Sequence, residues 1–202
     1  MTTQEAIALG ERSLPRRRGI PEPSREALWL LARAWGVEET TLRIHPDREV
    51  PPEVETRYRS WLERRAAGEP AHHLIGECEF WGREFSVSPA VLIPRPETEL
   101  VIQVALDLPL SPTARVLDVG TGSGCIAITL AAERPKWRVS AVDVSQAALD
   151  VARANATRHG IEVDFHEGDL TGAFDPPLDL IVANLPYIPT TDLQTLPRAV
   201  SY

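Results

Sequence analysis

From residue 97 onward the chain alternates between helix and strand patterns, and that alternation narrows its fold more than any other feature. "ETELVIQVALDL" has helical spacing, "ARVLDVG" reads as a buried strand, "GCIAITLAAERP" as a helix and "RVSAVDVS" as a strand. "SQAALDVARANATRHG" is again helical, and "VDFHEGD" and "LDLIVAN" are two further strands. Strands separated by helices return through crossovers, so they lie mostly parallel, with helices covering the sheet. The expectation is an α/β domain over residues 97–202.

Before that point the periodicity is different. "PSREALWLLARAWGV" offers Ser24 as an N-cap and repeats Leu28, Leu31 and Trp35 at spacings of three and four, an amphipathic helix. "PPEVETRYRSWLERRAAGEP" opens on prolines, puts Val54, Tyr58, Trp61 and Leu62 on one face, and ends at Gly68 and Pro70. Residues 1–70 thus read as a small helical bundle, either a cap or a substrate-docking domain. Residues 71–96 read as a linker built on a β-hairpin, because the stretch "GECEFWGREFSVSPAVLI" alternates around Trp81-Gly82-Arg83. His72 and His73, taken as extended, would point to opposite sides and share no metal, and no metal site is expected elsewhere.

Composition limits the partners. The formal charge of −8 argues against a protein that grips nucleic acid through its phosphates, so direct nucleic-acid binding is not expected. Two basic clusters, Arg16-Arg17-Arg18 and Arg57, Arg59, Arg64 and Arg65, are the local exceptions. Nothing resembles a leader peptide, and no run approaches the about 18 apolar residues that cross a bilayer, so no membrane partner is expected. Cys78 and Cys125 are far apart and lack a Cys-x-x-Cys partner; both read as core residues in a cytoplasmic protein.

The strand "VLDVG" runs into Gly120-Thr121-Gly122-Ser123-Gly124 and then into a helix. Glycines here permit positive φ and admit a ligand close to the backbone. The next strand ends in Asp143, 23 residues after Gly120, where a carboxylate can accept both hydroxyls of a ribose. The one after ends in Gly168-Asp169-Leu170, and in such folds all three turns open on one crevice beyond the carboxyl ends of the strands. The spacing from Gly120 to Gly124 is not the Gly-x-Gly-x-x-Gly that sets a helix N-terminus against a pyrophosphate, which weighs against NAD. S-adenosyl-L-methionine, a sulfonium cation without phosphate, suits a crevice rimmed by Asp118, Asp143 and Asp169. Asp118 could equally hold the glycine loop through backbone hydrogen bonds.

The fourth strand ends on Asn184-Leu185-Pro186-Tyr187. This resembles the Asn-Pro-Pro-Tyr motif of methyltransferases that act on planar, amide-like nitrogens. The Asn184 side chain and the carbonyl of residue 185 can accept the two N–H bonds of such a target and aim its lone pair at a methyl group, while Tyr187 stacks on the flat amide. Leu185 departs from the motif's first proline; it keeps the carbonyl, and Pro186 after it favours an extended backbone.

The segment "HLIGECEFWGREFSVSPAVLIPRPETELV" resembles the hairpin and Pro-Arg-Pro-Glu-Thr-Glu segment of the HemK/PrmC family, which methylates the glutamine of the Gly-Gly-Gln loop in class 1 peptide chain release factors. With the glycine loop, Asp143, Gly168-Asp169 and Asn184 to Tyr187, the likeness runs from about residue 70 to 202. It implies a Rossmann-like class I methyltransferase domain behind an N-terminal bundle that docks the release factor. The cofactor is then S-adenosyl-L-methionine, leaving as S-adenosyl-L-homocysteine, held by Gly120 to Gly124, Asp143, Asp169, Leu170 and Asn184. Asn184, Leu185, Pro186 and Tyr187 form the catalytic set, and Arg95, Glu97 and Thr98 lie in a segment that closes over the cofactor. The family's chain continues after the fourth strand, so the expectation is a shortened sheet with an exposed edge. An adenine-N6 nucleic-acid methyltransferase and an inactive binding module are the competing expectations.

Overall fold

The computed structural model describes residues 1–14, 20–169 and 177–185, which fall into two compact units, Met1–Ile75 and a second beginning at Gly76. Arg16, Arg17, Arg18, Leu170, Pro186 and Tyr187 lie outside the described residues.

The first unit is helical: α1 (Thr3–Ser13), α2 (Pro23–Trp35), α3 (Glu39–Ile44), α4 (Pro52–Ala66) and α5 (Ala71–Ile75). α1 starts with a capping box in which Thr2 and Glu5 satisfy each other's backbone N–H groups. Ser24 is not the N-cap of α2. The helix begins one residue earlier at Pro23, whose fixed φ and missing N–H suit the first helical position, and Glu22 caps it without a side-chain bond. Leu28, Leu31, Tyr58 and Leu62 are buried in one core, as the spacing predicts. At its centre the Tyr58 hydroxyl lies 3.1 Å from the Ala27 carbonyl and 3.3 Å from that of Ala6. A Cβ added to Gly10 would come within 2.1 Å of that hydroxyl, so glycine is what lets α1 approach α4.

The basic cluster of α4 is engaged inside this unit. Arg57 donates to the Ala34 carbonyl, Arg59 pairs with Glu55, Arg64 with Glu69, and the buried Arg65 with Glu26 on α2. His72 and His73 sit on α5, a short helix and not the extended segment expected, because a turn opens at Pro70, whose carbonyl accepts from the N–H of both His73 and Leu74.

The second unit opens with a hairpin, β1 (Glu77–Phe80) and β2 (Arg83–Ser86), in which Phe80 faces Arg83 across the two-residue turn Trp81-Gly82. Both turn residues have positive φ, 52° and 68°, the pattern of a type I′ turn, whose twist matches the strands. After a 3-10 turn at Pro96–Thr98 follow α6 (Glu99–Asp107), β3 (Arg115–Val119), α7 (Cys125–Glu133), β4 (Arg138–Asp143), α8 (Gln146–His159), β5 (Asp164–Glu167) and β6 (Leu180–Ala183). Among the described residues these strands form one parallel sheet in the order β5-β4-β3-β6. The chain therefore steps outward from β3 to β5 and then crosses back to β6 on the other side of β3. Such a reversal opens a crevice at the carboxyl ends of β3 and β6.

Beneath that crevice lies an apolar core. It joins Phe80 and Phe85 of the hairpin, Ile102 of α6, Val116 of β3, Ile128 and Leu130 of α7 and Val182 of β6. The hairpin is also tied to α8, where Arg158 pairs with Glu77 and Glu84. Among the described residues no helix is long and apolar enough to cross a membrane.

Candidate functional site

The loop after β3 is shaped by three alternating glycines, Gly120, Gly122 and Gly124, with φ of 69°, 55° and 80°. Only glycine takes this region at little cost, so the spacing Gly-x-Gly-x-Gly is the backbone path itself. Gly120 and Thr121 donate to the Val142 carbonyl at 2.8 and 3.1 Å, which fixes the loop against the end of β4. Gly124 then leads into α7, where an added Cβ would meet Ile128 and Ala152 at 2.9 and 3.1 Å.

Asp118 does not rim the crevice. It is fully buried, and its Oδ2 accepts from the Thr121 hydroxyl at 2.6 Å and from the Ala127 N–H at 3.2 Å, so it holds the loop from below. This is the other role open to it from the sequence. Burial pushes its carboxyl up to about 6; the bonds from Thr121 and Ala127 work in the opposite direction, and the charge of Asp143 adds to the rise. The side chains of Thr121 and Ser123 are likewise buried, and the Ser123 carbonyl accepts from Asn155.

Asp143 reaches the loop from the end of β4. Its Oδ2 accepts from the Gly122 N–H at 2.9 Å and its Oδ1 from the Ser145 N–H at 3.0 Å. Each oxygen has a second lone pair, so the carboxylate can take two hydroxyl donors while it keeps the loop in place. Gly168 donates to the Asp143 carbonyl at 3.0 Å, tying the end of β5 to the end of β4, and Asp169 beside it is exposed.

From the other side of β3, β6 brings Asn184 and Leu185. A Cβ placed on Gly120 would stand 2.4 Å from Leu185 Cδ2, so the leucine side chain lies directly over the first glycine of the loop. The half-buried Asn184 donates from Nδ2 to Thr98 Oγ1 at 2.9 Å. The structure thus gathers the glycine loop, Asp143, Asn184 and Leu185 at one edge of the sheet, with Asp169 farther along it.

One contributor escaped the sequence reading. Asn155 of α8 is fully buried; its Oδ1 accepts from the Ser86 N–H at 2.7 Å, and its Nδ2 donates to the carbonyls of Ser86 and Ser123 at 3.0 and 2.9 Å. A single amide therefore joins the hairpin to the glycine loop. The trace in the sequence is an asparagine on the face of a helix whose other members, Leu149, Ala152 and Ala156, are core residues.

The two cysteines sit in surroundings that disfavour the thiolate. Both are free and buried, and burial, with the nearby charge of Asp118, pushes the Cys125 thiol up to about 12. Among the described residues no group of three or more His, Cys, Asp or Glu side chains could hold a metal ion.

Residues 5–76 match the family model described as the PrmC N-terminal domain, and residues 98–196 match the methyltransferase small domain. The chain is 45% identical to the release factor glutamine methyltransferase of Koribacter versatilis, over 89% of this chain and 65% of that protein. It is 42% identical to that of Deinococcus radiodurans over 89% and 65%, and 45% identical to that of Burkholderia pseudomallei over 87% and 65%. It thus spans about 65% of the length of these relatives. Among solved structures, the Pyrococcus abyssi tRNA (uracil-54, C5)-methyltransferase in complex with S-adenosyl-L-homocysteine aligns over 55% of this chain and 27% of its own, at 16% identity and a TM-score of 0.46, an overlap too partial to argue from. The α/β unit has the Rossmann-like fold of class I methyltransferases, and with a PrmC N-terminal domain ahead of it the chain belongs to the HemK/PrmC family.

Proposed function

We propose that the chain transfers a methyl group from S-adenosyl-L-methionine to the side-chain amide nitrogen of the glutamine in the Gly-Gly-Gln loop of class 1 peptide chain release factors. The observation that carries this reading is the meeting of β3 and β6, where Leu185 lies on Gly120 with Asn184 beside it. A group that binds planar amides and a loop suited to a nucleoside thereby share one edge of the sheet.

The residues fit the cofactor. Gly120, Gly122 and Gly124 present backbone without Cβ atoms, and Asp143 keeps lone pairs for the ribose hydroxyls. Asp169 and Leu170 are assigned to the same ligand, and the acids at this edge suit a cation. When bound, S-adenosyl-L-methionine supplies an electrophilic methyl on sulfonium and departs as S-adenosyl-L-homocysteine.

The chain's own work is orientation. An amide nitrogen is a poor nucleophile because its lone pair is delocalised. Asn184 Oδ1 and the Leu185 carbonyl would accept the target's two N–H bonds and so fix the direction of its nitrogen lone pair. Tyr187 and Pro186 complete the clamp in this reading. The proton of the methylated nitrogen would leave only after transfer, so the chain's residues have to orient the amide and need supply no strong base. The helical unit docks the release factor, with the α4 arginines already committed within it. The cytoplasm is the setting of this activity.

Methyl transfer to a purified release factor, with nucleic acid as a parallel acceptor, tests the reading. Label is expected on glutamine and absent from adenine, and Asn184→Ala is expected to slow transfer at least about a hundredfold. An undiminished rate in that variant, or label on adenine alone, overturns it.

A further inference from the structure

Asn184 can serve a target amide only if its own carboxamide is turned the right way, and the structure shows what sets that turn. A carboxamide has an accepting end and a donating end of nearly equal size. If the NH2 group faced the target, two donors would meet two donors. Here the donating end is engaged elsewhere, on Thr98 Oγ1 at 2.9 Å.

Thr98 is suited to this duty by what it does not do. It occupies the N-cap of α6, where a threonine hydroxyl ordinarily accepts an N–H from the first turn of the helix. Its backbone is instead helical, with φ −69° and ψ −20°, and its side chain makes no capping bond. The hydroxyl is directed at Asn184. The residue itself is held firmly: it is 6% exposed, its N–H donates to the Arg95 carbonyl at 2.9 Å, and the adjacent Glu99 accepts from the Trp81 N–H of the hairpin turn at 2.8 Å.

We infer that Thr98 is a positioning residue: its hydroxyl anchors Asn184 Nδ2 and so presents Asn184 Oδ1 to the amide of the substrate. For its activity this rests on the methyl-transfer reading above. The hairpin turn, the start of α6 and the end of β6 then form one line of contacts from Trp81 through Glu99 and Thr98 to Asn184.

The test compares Thr98→Val, which keeps the shape and removes the hydroxyl, with Thr98→Ser, which keeps the hydroxyl. With a release factor as substrate, Thr98→Val is expected to lower kcat about tenfold while KM for the release factor and the Kd for S-adenosyl-L-methionine stay within about twofold. Thr98→Ser is expected to stay within about threefold of the parent chain. In parallel, nitrogen-15 labelling of asparagine follows the Asn184 side-chain NH2, identified by its loss in Asn184→Ala. Its shift and slow exchange with solvent are expected to persist in Thr98→Ser and vanish in Thr98→Val. An unchanged kcat or an unchanged NH2 signal in Thr98→Val overturns the inference, as does a kcat loss that serine does not restore. A parent chain that methylates no release factor refutes the functional reading instead, and the NH2 signal then decides the placement of Asn184 alone. Should Thr98→Val not fold, Thr98→Ala carries the same readouts.

Discussion

The two units use buried polar groups for different ends. In the helical unit such groups tie helix to helix: the Tyr58 hydroxyl lies between carbonyls of α1 and α2, and Arg65 of α4 pairs with Glu26 of α2. In the α/β unit they tie regular elements to loops: Asp118 and Asp143 hold the glycine loop, and Asn155 joins that loop to the hairpin. The lesson is that the second unit fixes its glycine loop by side chains already within the chain. Under the proposed function, a cofactor entering there would meet a prepared loop and lose less to ordering it.

Asn155→Ala challenges this division most severely. It strips three hydrogen bonds from main-chain atoms around a fully buried side chain, and a loss of about 4 kcal/mol in urea unfolding is expected. Weaker binding of S-adenosyl-L-methionine by calorimetry is expected with it. Arg65→Leu comes next, at about 3–4 kcal/mol, because Glu26 is left without its partner; adding Glu26→Leu is expected to recover most of the loss. Cofactor affinity in that variant is expected to stay unchanged, and an equal weakening in both variants would show that the two units do not divide the work.

The smallest effect is a matter of pH. Asp118 is raised from an ordinary value of 3.8 to about 6 by burial. As pH rises from about 4 to about 6 the unfolded chain releases this proton while the folded chain keeps it, so the group's contribution to stability declines across that window and is level above it. The stability difference between the parent chain and Asp118→Asn is expected to change by roughly 2–3 kcal/mol between those limits, read from urea midpoints. A flat difference would mean that Asp118 is ionised where it lies.

Much of this architecture was legible because it is written in local chemistry. The four strands follow from apolar runs, the hairpin from alternation around Trp81-Gly82, and the loop from glycines at every second position. What escaped was set by the partners that each group finds once the chain is folded. Ser24 looked like a cap until the proline beside it took the first helical position. The sequence leaves Asp118 two roles, on the rim or under the loop, because strand position alone does not reveal which way a carboxylate is drawn; Thr121 and Ala127 draw it inward. Asn184 follows directly on β6, where the apolar run before it implies a strand end, yet its bond to Thr98 spans 86 residues and has no local trace.

The three bonds of Asn155 all end on main-chain atoms, those of Ser86 and Ser123. The amide is therefore indifferent to the side chains at those two positions. Over evolutionary drift, residue 86, and residue 123 within the small volume that its burial leaves, can exchange for others that keep the backbone path, while a change at 155 would have to be answered in two places at once. Variation should accordingly collect around this asparagine and leave the asparagine itself alone.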